Sequence, residues 1–295
     1  MLHIDLFGTT TMHTDDGGFR SLEVSGVKPR QILEMLAARL GSPVTKDVLA
    51  EGLWGGRPPA SYVASVESYV CVLRRSLAVV PGRPLVTTHG AYLLDPRLVR
   101  VDLVEARAGL AGLESMSGGS LVQAAVRALD TITGDLLADE PFSDWAQDLR
   151  HKLDQLVDRA VTPAAETALA GGDPVSACRL ARAVLDRNPL SEPACRVMMS
   201  AQCAVGAPAL ALGAFADLRR VMVEELGVEP SAVTRDLYLA VLDRPAPSVT
   251  RERDRREVGA LVRLLRQALD AGADPDPAAR SWLAELGLTL ATRSA

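Results

Sequence analysis

Hydrophobic residues between positions 61 and 77 recur at intervals of four, three and four. They form one apolar stripe on a helix of 3.6 residues per turn: Val66, Val70, Leu73 and Leu77. The opposite side carries small, hydroxylated and basic side chains: Ser61, Ala64, Ser65, Ser68, Val72 and Arg75. Such a face is able to enter a DNA major groove, because short side chains let the helix approach the bases. The same pattern is also common in helices that only pack inside a helical domain.

Two short strands are predicted before this helix. Apolar and polar residues alternate from Leu2 to Leu6, which is the period of a strand. Residues 9–18 are rich in turn-forming residues. The apolar residues Phe19, Leu22 and Val24 then suggest a second strand that pairs with the first.

Two further helices are predicted between the strands and the amphipathic helix. The first ends where Gly41, Ser42 and Pro43 follow one another. Thr45 is placed to cap the second, which is expected to break at Gly55 and Gly56. The residues expected to face the core are Ile32, Leu33, Leu36 and Leu40 in the first helix, and Val48, Leu49, Leu53 and Trp54 in the second.

Residues 84–95 predict a β-hairpin. Its turn is expected at His89-Gly90, and its second strand contains Tyr92 and Leu94. Strands, three helices and a hairpin follow one another in this order in a winged helix-turn-helix. We therefore expect this fold, with small β-sheets, over residues 1–98.

The pattern from residue 101 to residue 244 is almost entirely helical, with a helix from Asp102, a break at Gly118-Gly119, a helix over residues 121–132 and a long helix over residues 141–169. A repeat follows at an offset of 34 residues, which is the tetratricopeptide (TPR) period. It matches Ala170 with Ala204, Gly172 with Gly206, Pro174 with Pro208, and Ala177 with Ala211. Residues 245–295 are expected to add a linker and a helical extension, which either caps the open end of the repeats or binds a partner, and capping is favoured because an open repeat end exposes apolar surface. The predicted fold class is therefore mainly α.

Charge weakens the case for strong binding to nucleic acid. The 295 residues carry a formal charge of −5, and residues 1–98 contain ten basic and nine acidic residues, a net charge of +1. Typical DNA-binding domains are far more basic, and affinity for DNA scales with the phosphates that a protein neutralises. We therefore expect a monomer to bind weakly, with dimerisation or RNA polymerase strengthening the complex.

No constellation in the sequence indicates an enzyme. There is no phosphate-binding loop and no nucleophile elbow, and the four histidines are scattered. The four cysteines have no metal-binding spacing, so we expect neither a metal nor another cofactor. The cysteines are expected to be unpaired thiols, as in a reducing cytoplasm. Because the sequence also shows neither a signal peptide nor a long apolar run, we expect a cytoplasmic protein.

Several short motifs, in this order and spacing, resemble the DNA-binding domain of Streptomyces antibiotic regulatory proteins (SARPs), which belongs to the OmpR-type winged-helix group. They are Lys28-Pro29-Arg30, Leu53-Trp54-Gly55, Tyr69-Val70 with Leu73-Arg74-Arg75-x-Leu77, and His89-Gly90-x-Tyr92-x-Leu94. The later strings Asn188-Pro189-Leu190-Ser191-Glu192 and Glu224-Glu225-Leu226-Gly227-Val228-Glu229-Pro230-Ser231 resemble the bacterial transcriptional activation domain of the same family. The resemblance covers residues 1–244. It implies a winged helix at residues 1–98 and a TPR-like activation domain at residues 99–244, followed by the extension at residues 245–295.

The resemblance also implies a function and its residues. It implies an activator that binds direct repeats of double-stranded DNA near the promoter of a specialised-metabolite gene cluster, as a homodimer, and recruits RNA polymerase holoenzyme. The implied base contacts are Ser65, Ser68, Tyr69 and Val72, and the implied backbone contacts are Thr45, Lys46, Arg74, Arg75, Thr88 and His89. The segment implied to touch polymerase consists of Trp54, Gly55, Gly56, Arg57, Pro58 and Pro59.

Other interpretations stay open at this point. Tyr69 can pack against the hairpin, Arg74 and Arg75 can be ordinary solvated charges, and His89 can be a simple turn residue. Because Val72 cannot donate a hydrogen bond to a base and residues 1–98 are nearly neutral, the rival hypothesis is a protein-binding adaptor whose winged helix is degenerate. A third hypothesis is a small effector bound by the helical domain, for which the sequence indicates no pocket residue.

Overall fold

The computed structural model describes residues 1–14 and 20–243, and within them strands are confined to the first 101 residues. The strands are β1 (Leu2–Asp5), β2 (Thr11–Thr14), β3 (Arg20–Leu22), β4 (Val44–Thr45), β5 (Leu85–Thr88), β6 (Ala91–Leu94) and β7 (Val99–Val101). The helices are α1 (Val27–Ala37), α2 (Lys46–Trp54), α3 (Tyr62–Ser76), α4 (Asp102–Gly112), α5 (Gly118–Asp130), α6 (Asp144–Ala170), α7 (Pro174–Leu185), α8 (Glu192–Ala204), α9 (Pro208–Leu226) and α10 (Ala232–Leu242). The fold is therefore mainly α with small sheets, as predicted.

The first sheet has the strand order β3-β2-β1-β7. The predicted partner of β1 was wrong: β2 pairs antiparallel with β1, and β3 pairs with β2. β2 lies inside the segment expected to be a turn, because its buried positions are Met12 and the polar Thr14, which weakened the apolar signal. β7 runs parallel to β1 and brings residues 99–101 into this sheet, while the predicted division of the chain at residue 98 stays a prediction.

Local sequence signals determine both ends of α2. The Thr45 hydroxyl accepts a hydrogen bond from the backbone N–H of Val48 at 3.4 Å, which confirms the predicted cap. Gly55 ends the helix with a φ of +58°, a left-handed conformation that favours glycine. The core-facing assignment of Val48 was wrong, because Leu49 and Leu53 share the buried face and Val48 lies about 100° away from Leu49 around the helix.

The predicted stripe on α3 is buried, and a hairpin follows it. Val66, Val70 and Leu73 are buried on α3, and Leu77 is buried in the single 3-10 turn that continues it. β5 and β6 form the hairpin with Thr88 paired to Ala91, so its loop has two residues. His89 and Gly90 have φ values of +40° and +79°, which is the type I′ turn that the strand twist favours. β4 joins this second sheet beside β6.

The 34-residue repeat corresponds to two helix pairs, α6–α7 and α8–α9. Gly172 and Gly206 follow the first helix of each pair with φ values of +78° and +81°, and Pro174 and Pro208 begin the second helix. Each junction is a Schellman motif, in which Asp173 N–H donates to Ala168 O and Ala207 N–H donates to Gln202 O, both at 2.9 Å. Ala177 and Ala211 are fully buried, so the small residues allow close helix packing.

The glycines at positions 118 and 119 have a different role from the predicted one. They begin α5 and do not stand apart as a break before it. One continuous hydrophobic core runs from Leu2 in β1 to Ala201 in α8. The winged-helix and helical segments therefore share a core. The predicted linker and extension at residues 245–295 lie outside the described residues.

A buried polar cluster joins α1 to the segment between α5 and α6. The Arg30 guanidinium lies 3.2 Å from Glu34, 3.4 Å from Asp139 and 3.0 Å from Glu140. Glu34 is fully buried and accepts a hydrogen bond from the Thr10 hydroxyl at 2.7 Å. Burial raises the pKa of Glu34 to about 7.

Among the described helices, none combines the length and apolarity that a membrane span requires.

Candidate nucleic-acid interface

The outer face of α3 lies opposite its buried stripe and is open to solvent. Ser68 and Arg75 are exposed on this face, and Ser65 and Val72 are half-buried. The Ser65 hydroxyl donates to the backbone oxygen of Ser61 at 3.2 Å, so part of its hydrogen-bonding capacity is used within the helix. The Arg75 side chain makes no hydrogen bond or ion pair with any described residue. A row of short side chains ending in an uncommitted guanidinium is chemically suited to a groove bordered by phosphates.

Two polar contacts hold α3 against the first turn of α2. The Tyr62 hydroxyl donates to Asp47 at 2.6 Å, and the hydrogen bond raises the pKa of Tyr62. The Lys46 ammonium is ion-paired with Glu67, and the hydrogen bond in this pair raises the pKa of Lys46. The structure thus brings Lys46 beside α3, with its charge facing a carboxylate of α3.

The adjacent arginines of α3 have different surroundings. Arg74 Nη2 donates to the hydroxyl of Thr87 in β5 at 2.5 Å. The Arg74 guanidinium also lies 5.9 Å from the centre of the Tyr92 ring in β6, within the range of a cation–π contact. Arg74 therefore ties the end of α3 to the hairpin, which serves as the wing. Tyr69 is half-buried and packs against the hydrophobic core.

The wing turn and the beginning of α2 are neighbours. Thr45 pairs with Ala91, the first residue of β6 after the turn. At the turn, the Thr88 hydroxyl lies 3.1 Å from Nδ1 of His89, whose side chain is exposed. The predicted backbone contacts Thr45, Thr88 and His89 are thus brought to one edge of the winged helix.

The predicted polymerase segment lies at the other end of α2. The residues from Gly55 to Pro59 are exposed, and Trp54 is half-buried. The Lys28 ammonium donates to the backbone oxygen of Leu53 and lies 5.9 Å from the centre of the Trp54 ring. A hydrogen bond from the Arg57 N–H to Trp54 O at 3.2 Å closes the turn. The exposed loop therefore has an ordered base.

Sequence reasoning missed the partners of the predicted contacts. Glu67 and Thr87 face Lys46 and Arg74 from positions 21 and 13 residues away along the chain. No local pattern connects residues at such separations, although Glu67 is the one acidic residue of α3. Within residues 1–14 and 20–243, no group of His, Cys, Asp and Glu side chains is arranged to hold a metal ion.

Comparison with known proteins assigns the family. Residues 25–91 match the model described as "Transcriptional regulatory protein, C terminal", and residues 101–242 match "Bacterial transcriptional activator domain". Regulatory protein DnrI of Streptomyces peucetius is 32% identical over 236 residues, which cover 76% of this chain and 86% of the relative. The chain belongs to the SARP family of transcriptional activators. The resemblance of the motifs to SARPs is thereby confirmed.

Two further proteins are similar to this chain. Regulatory protein AfsR of Streptomyces coelicolor is 30% identical over 227 residues, which are 75% of this chain and 22% of that larger protein. A solved structure of Mycobacterium tuberculosis EmbR, in complex with a low affinity phosphopeptide, superposes with a TM-score of 0.65 at 24% identity. It covers 90% of this chain and 71% of the EmbR chain, and at this identity the likeness concerns the fold.

Proposed function

We propose that this SARP-family chain activates a specialised-metabolite gene cluster by inserting α3 into the major groove of direct repeats near the promoter. The observation that carries the proposal is the outer face of α3, where short side chains are followed by Arg75 without a protein partner. Ser65 and Ser68 have hydroxyls for base edges, and Val72 has methyl groups for a thymine methyl. Tyr69 lies at the flank of this face.

The proposed backbone contacts surround the inserted helix. Arg74 and Arg75 approach phosphates from the end of α3, Thr45 and Lys46 from the beginning of α2, and Thr88 and His89 from the wing turn. Contacts of this kind set the register of a protein on the duplex but do not read its sequence. Because Lys46 is already ion-paired with Glu67, Arg75 is expected to contribute more electrostatic affinity than Lys46. Arg74 keeps its full charge while it donates to the neutral hydroxyl of Thr87.

The weak charge of the winged helix makes a dimer part of the proposal. Residues 1–98 have a net charge of +1, so one copy releases few counterions from DNA. Two copies side by side on direct repeats double the number of phosphate contacts, and a link to polymerase adds effective concentration. The exposed loop from Trp54 to Pro59 is the proposed contact with RNA polymerase holoenzyme, since it lies at the end of α2 away from the wing.

Fluorescence anisotropy on promoter DNA upstream of the coding sequence tests this function. We expect specific binding at low salt that tightens when RNA polymerase is added. Arg75→Ala should weaken binding about tenfold, because the one uncommitted cation of the α3 face is lost. The matched control is Arg220→Ala, which removes an exposed arginine of α9 and should bind as the parent protein does. Equal binding by both variants, or no binding at low salt with polymerase present, would contradict the proposal.

A further inference from the structure

An open cleft of about 1000 Å³ separates α1 and α2 from α4 and the beginning of α6. Its lining includes Met35 of α1, Gly52 of α2, Arg107 of α4, Trp145 of α6 and Phe142 just before α6. Ligand pockets for small molecules have volumes of roughly 300–1,000 Å³. The cleft is therefore large enough for an organic molecule of several rings.

Arg107 is a half-buried cation in this cleft. Its Nη1 donates to the backbone oxygen of Ala38 at 3.3 Å, and it forms no ion pair with any described residue. Burial accordingly lowers the pKa of Arg107. Arg30 shows the opposite shift. Burial lowers its pKa too, but the hydrogen bond to Glu140 and the nearby carboxylates have a larger effect, so its pKa is raised.

The remaining charges of the cleft do not neutralise Arg107. Lys152 is paired with Asp148 at 2.5 Å, and Lys28 is engaged by Leu53 O and the Trp54 ring. In total the lining has four basic residues, including Arg39 and Arg107, and three acidic ones. A guanidinium has five N–H donors, of which Arg107 uses one with described residues. The others are available to a carboxylate, the partner that a guanidinium binds in bidentate fashion.

Aromatic side chains line the same cleft. Phe142 is 90% exposed at the rim, the highest value among the large apolar side chains that the structure describes. Trp145 is half-buried, and its indole N–H is buried without an acceptor among the described residues. A Cβ at Gly52 would lie 2.5 Å from Met35 Sδ and 3.5 Å from Trp145 Cδ1, so glycine allows this close packing. The two rings and Met35 give the cleft apolar lining beside its charged residues.

We propose that this cleft binds a small aromatic carboxylate. Arg107 accepts the carboxylate in a charged, hydrogen-bonded pair, and the ring of the ligand packs against Phe142 and Trp145. The half-buried charge, the exposed phenylalanine and the volume of the cleft are together explained by such a ligand. A small molecule suits the cleft, because Arg107 is the one half-buried guanidinium among its lining residues.

Calorimetric titration of the full chain with 2-naphthoate tests the site, with 2-naphthalenemethanol as an uncharged probe of similar shape. We expect one molecule of 2-naphthoate to bind per chain and the alcohol to bind about tenfold more weakly. Arg107→Gln should remove this preference and leave the affinity for the alcohol unchanged. Arg159→Gln is the matched control, since Arg159 is exposed and paired with Glu114 on the helical surface.

Phe142→Ala is a second variant, which tests the site even if Arg107→Gln destabilises the protein. Phe142 is almost fully exposed, so Phe142→Ala should leave the melting temperature unchanged and weaken both probes several-fold. Equal affinity for the acid and the alcohol, binding unaffected by both variants, or no binding at millimolar concentration would overturn the proposal.

Discussion

The two consecutive arginines near the end of α3 show how far neighbours can differ in their surroundings. Arg74 donates to Thr87 and lies over the Tyr92 ring, so it links the helix to the wing. Arg75 has no such partner among the described residues. The 100° rotation between successive helical residues turns one side chain to the hairpin and the other to solvent. Both are expected to lie near phosphates, and Arg74 is expected to position the wing as well.

Thr87→Val separates these two roles without changing a charge. Valine keeps the branched shape that suits a strand but removes the hydroxyl that accepts from Arg74. We expect DNA affinity to fall a few-fold, because the wing is held less firmly, with an unchanged dependence on salt. Arg75→Ala should instead reduce the slope of log K against log salt by about one unit. Anisotropy titrations across a salt series measure both slopes, and a reduced slope for Thr87→Val would contradict the assignment.

At the scale of elements, the helical region repeats one junction. The turns after α6 and α8 share a left-handed glycine, the same pair of Schellman hydrogen bonds and a proline that begins the next helix. Each turn directs the chain back so that a buried alanine packs against the preceding helix. The repeat in the sequence is therefore a repeat of local backbone geometry.

Alanine at the two junction glycines should have equal effects. Gly172 and Gly206 have open space where a Cβ would lie, but their positive φ makes an L side chain unfavourable. We expect Gly172→Ala and Gly206→Ala each to lower the free energy of unfolding by about 1 kcal/mol. Gly213→Ala is the matched control within α9, where space is also open and φ is ordinary, and it should stabilise by about 0.5–1 kcal/mol. Urea denaturation measures all three, and a stabilised Gly172→Ala or Gly206→Ala would contradict this account.

At the scale of the whole molecule, the winged helix and the helical region share a hydrophobic core and a cluster of charged side chains. The core is continuous across both, and the cluster of Arg30, Glu34, Asp139 and Glu140 lies at the junction. Burial alone would raise the pKa of Glu140, but hydrogen bonds from Ser143, Gln31 and Arg30 lower it. The cluster therefore links α1 to the segment between α5 and α6 through charged hydrogen bonds.

Glu34 should make stability depend on pH. Its pKa is raised by burial to about 7, against a reference value of 4.5, so the folded protein keeps a proton that the unfolded chain releases between these values. The free energy of unfolding should fall as pH rises through this interval and then level off. Glu34→Gln, neutral at every pH, should show a smaller loss between about pH 5 and about pH 8 in urea denaturation.

The control for this pH dependence is Glu114→Gln. Glu114 is an exposed carboxylate paired with Arg159, so this variant should follow the pH dependence of the parent protein. An identical pH dependence in Glu34→Gln and the parent protein would show that Glu34 titrates normally.

Much of the fold was readable from the sequence, because the signals concerned are local. The buried stripe of α3, the Thr45 cap, the His89-Gly90 turn and the 34-residue repeat depend on helix periodicity, capping chemistry or backbone conformation within a few residues. The family resemblance depends on similar short motifs. The positions of α3 that lie opposite its buried stripe follow from the same periodicity, and their role in DNA binding remains a prediction.

Only the tertiary structure decided which distant groups meet. The pairing of β3 with β2 and of β7 with β1 depends on which strand edges the folded chain brings together. The partners of Lys46 and Arg74, and the cleft around Arg107, depend on helix packing between residues far apart in sequence. Periodicity specifies which face of an element is buried, but long-range packing determines what that face meets and which charges are left without a partner.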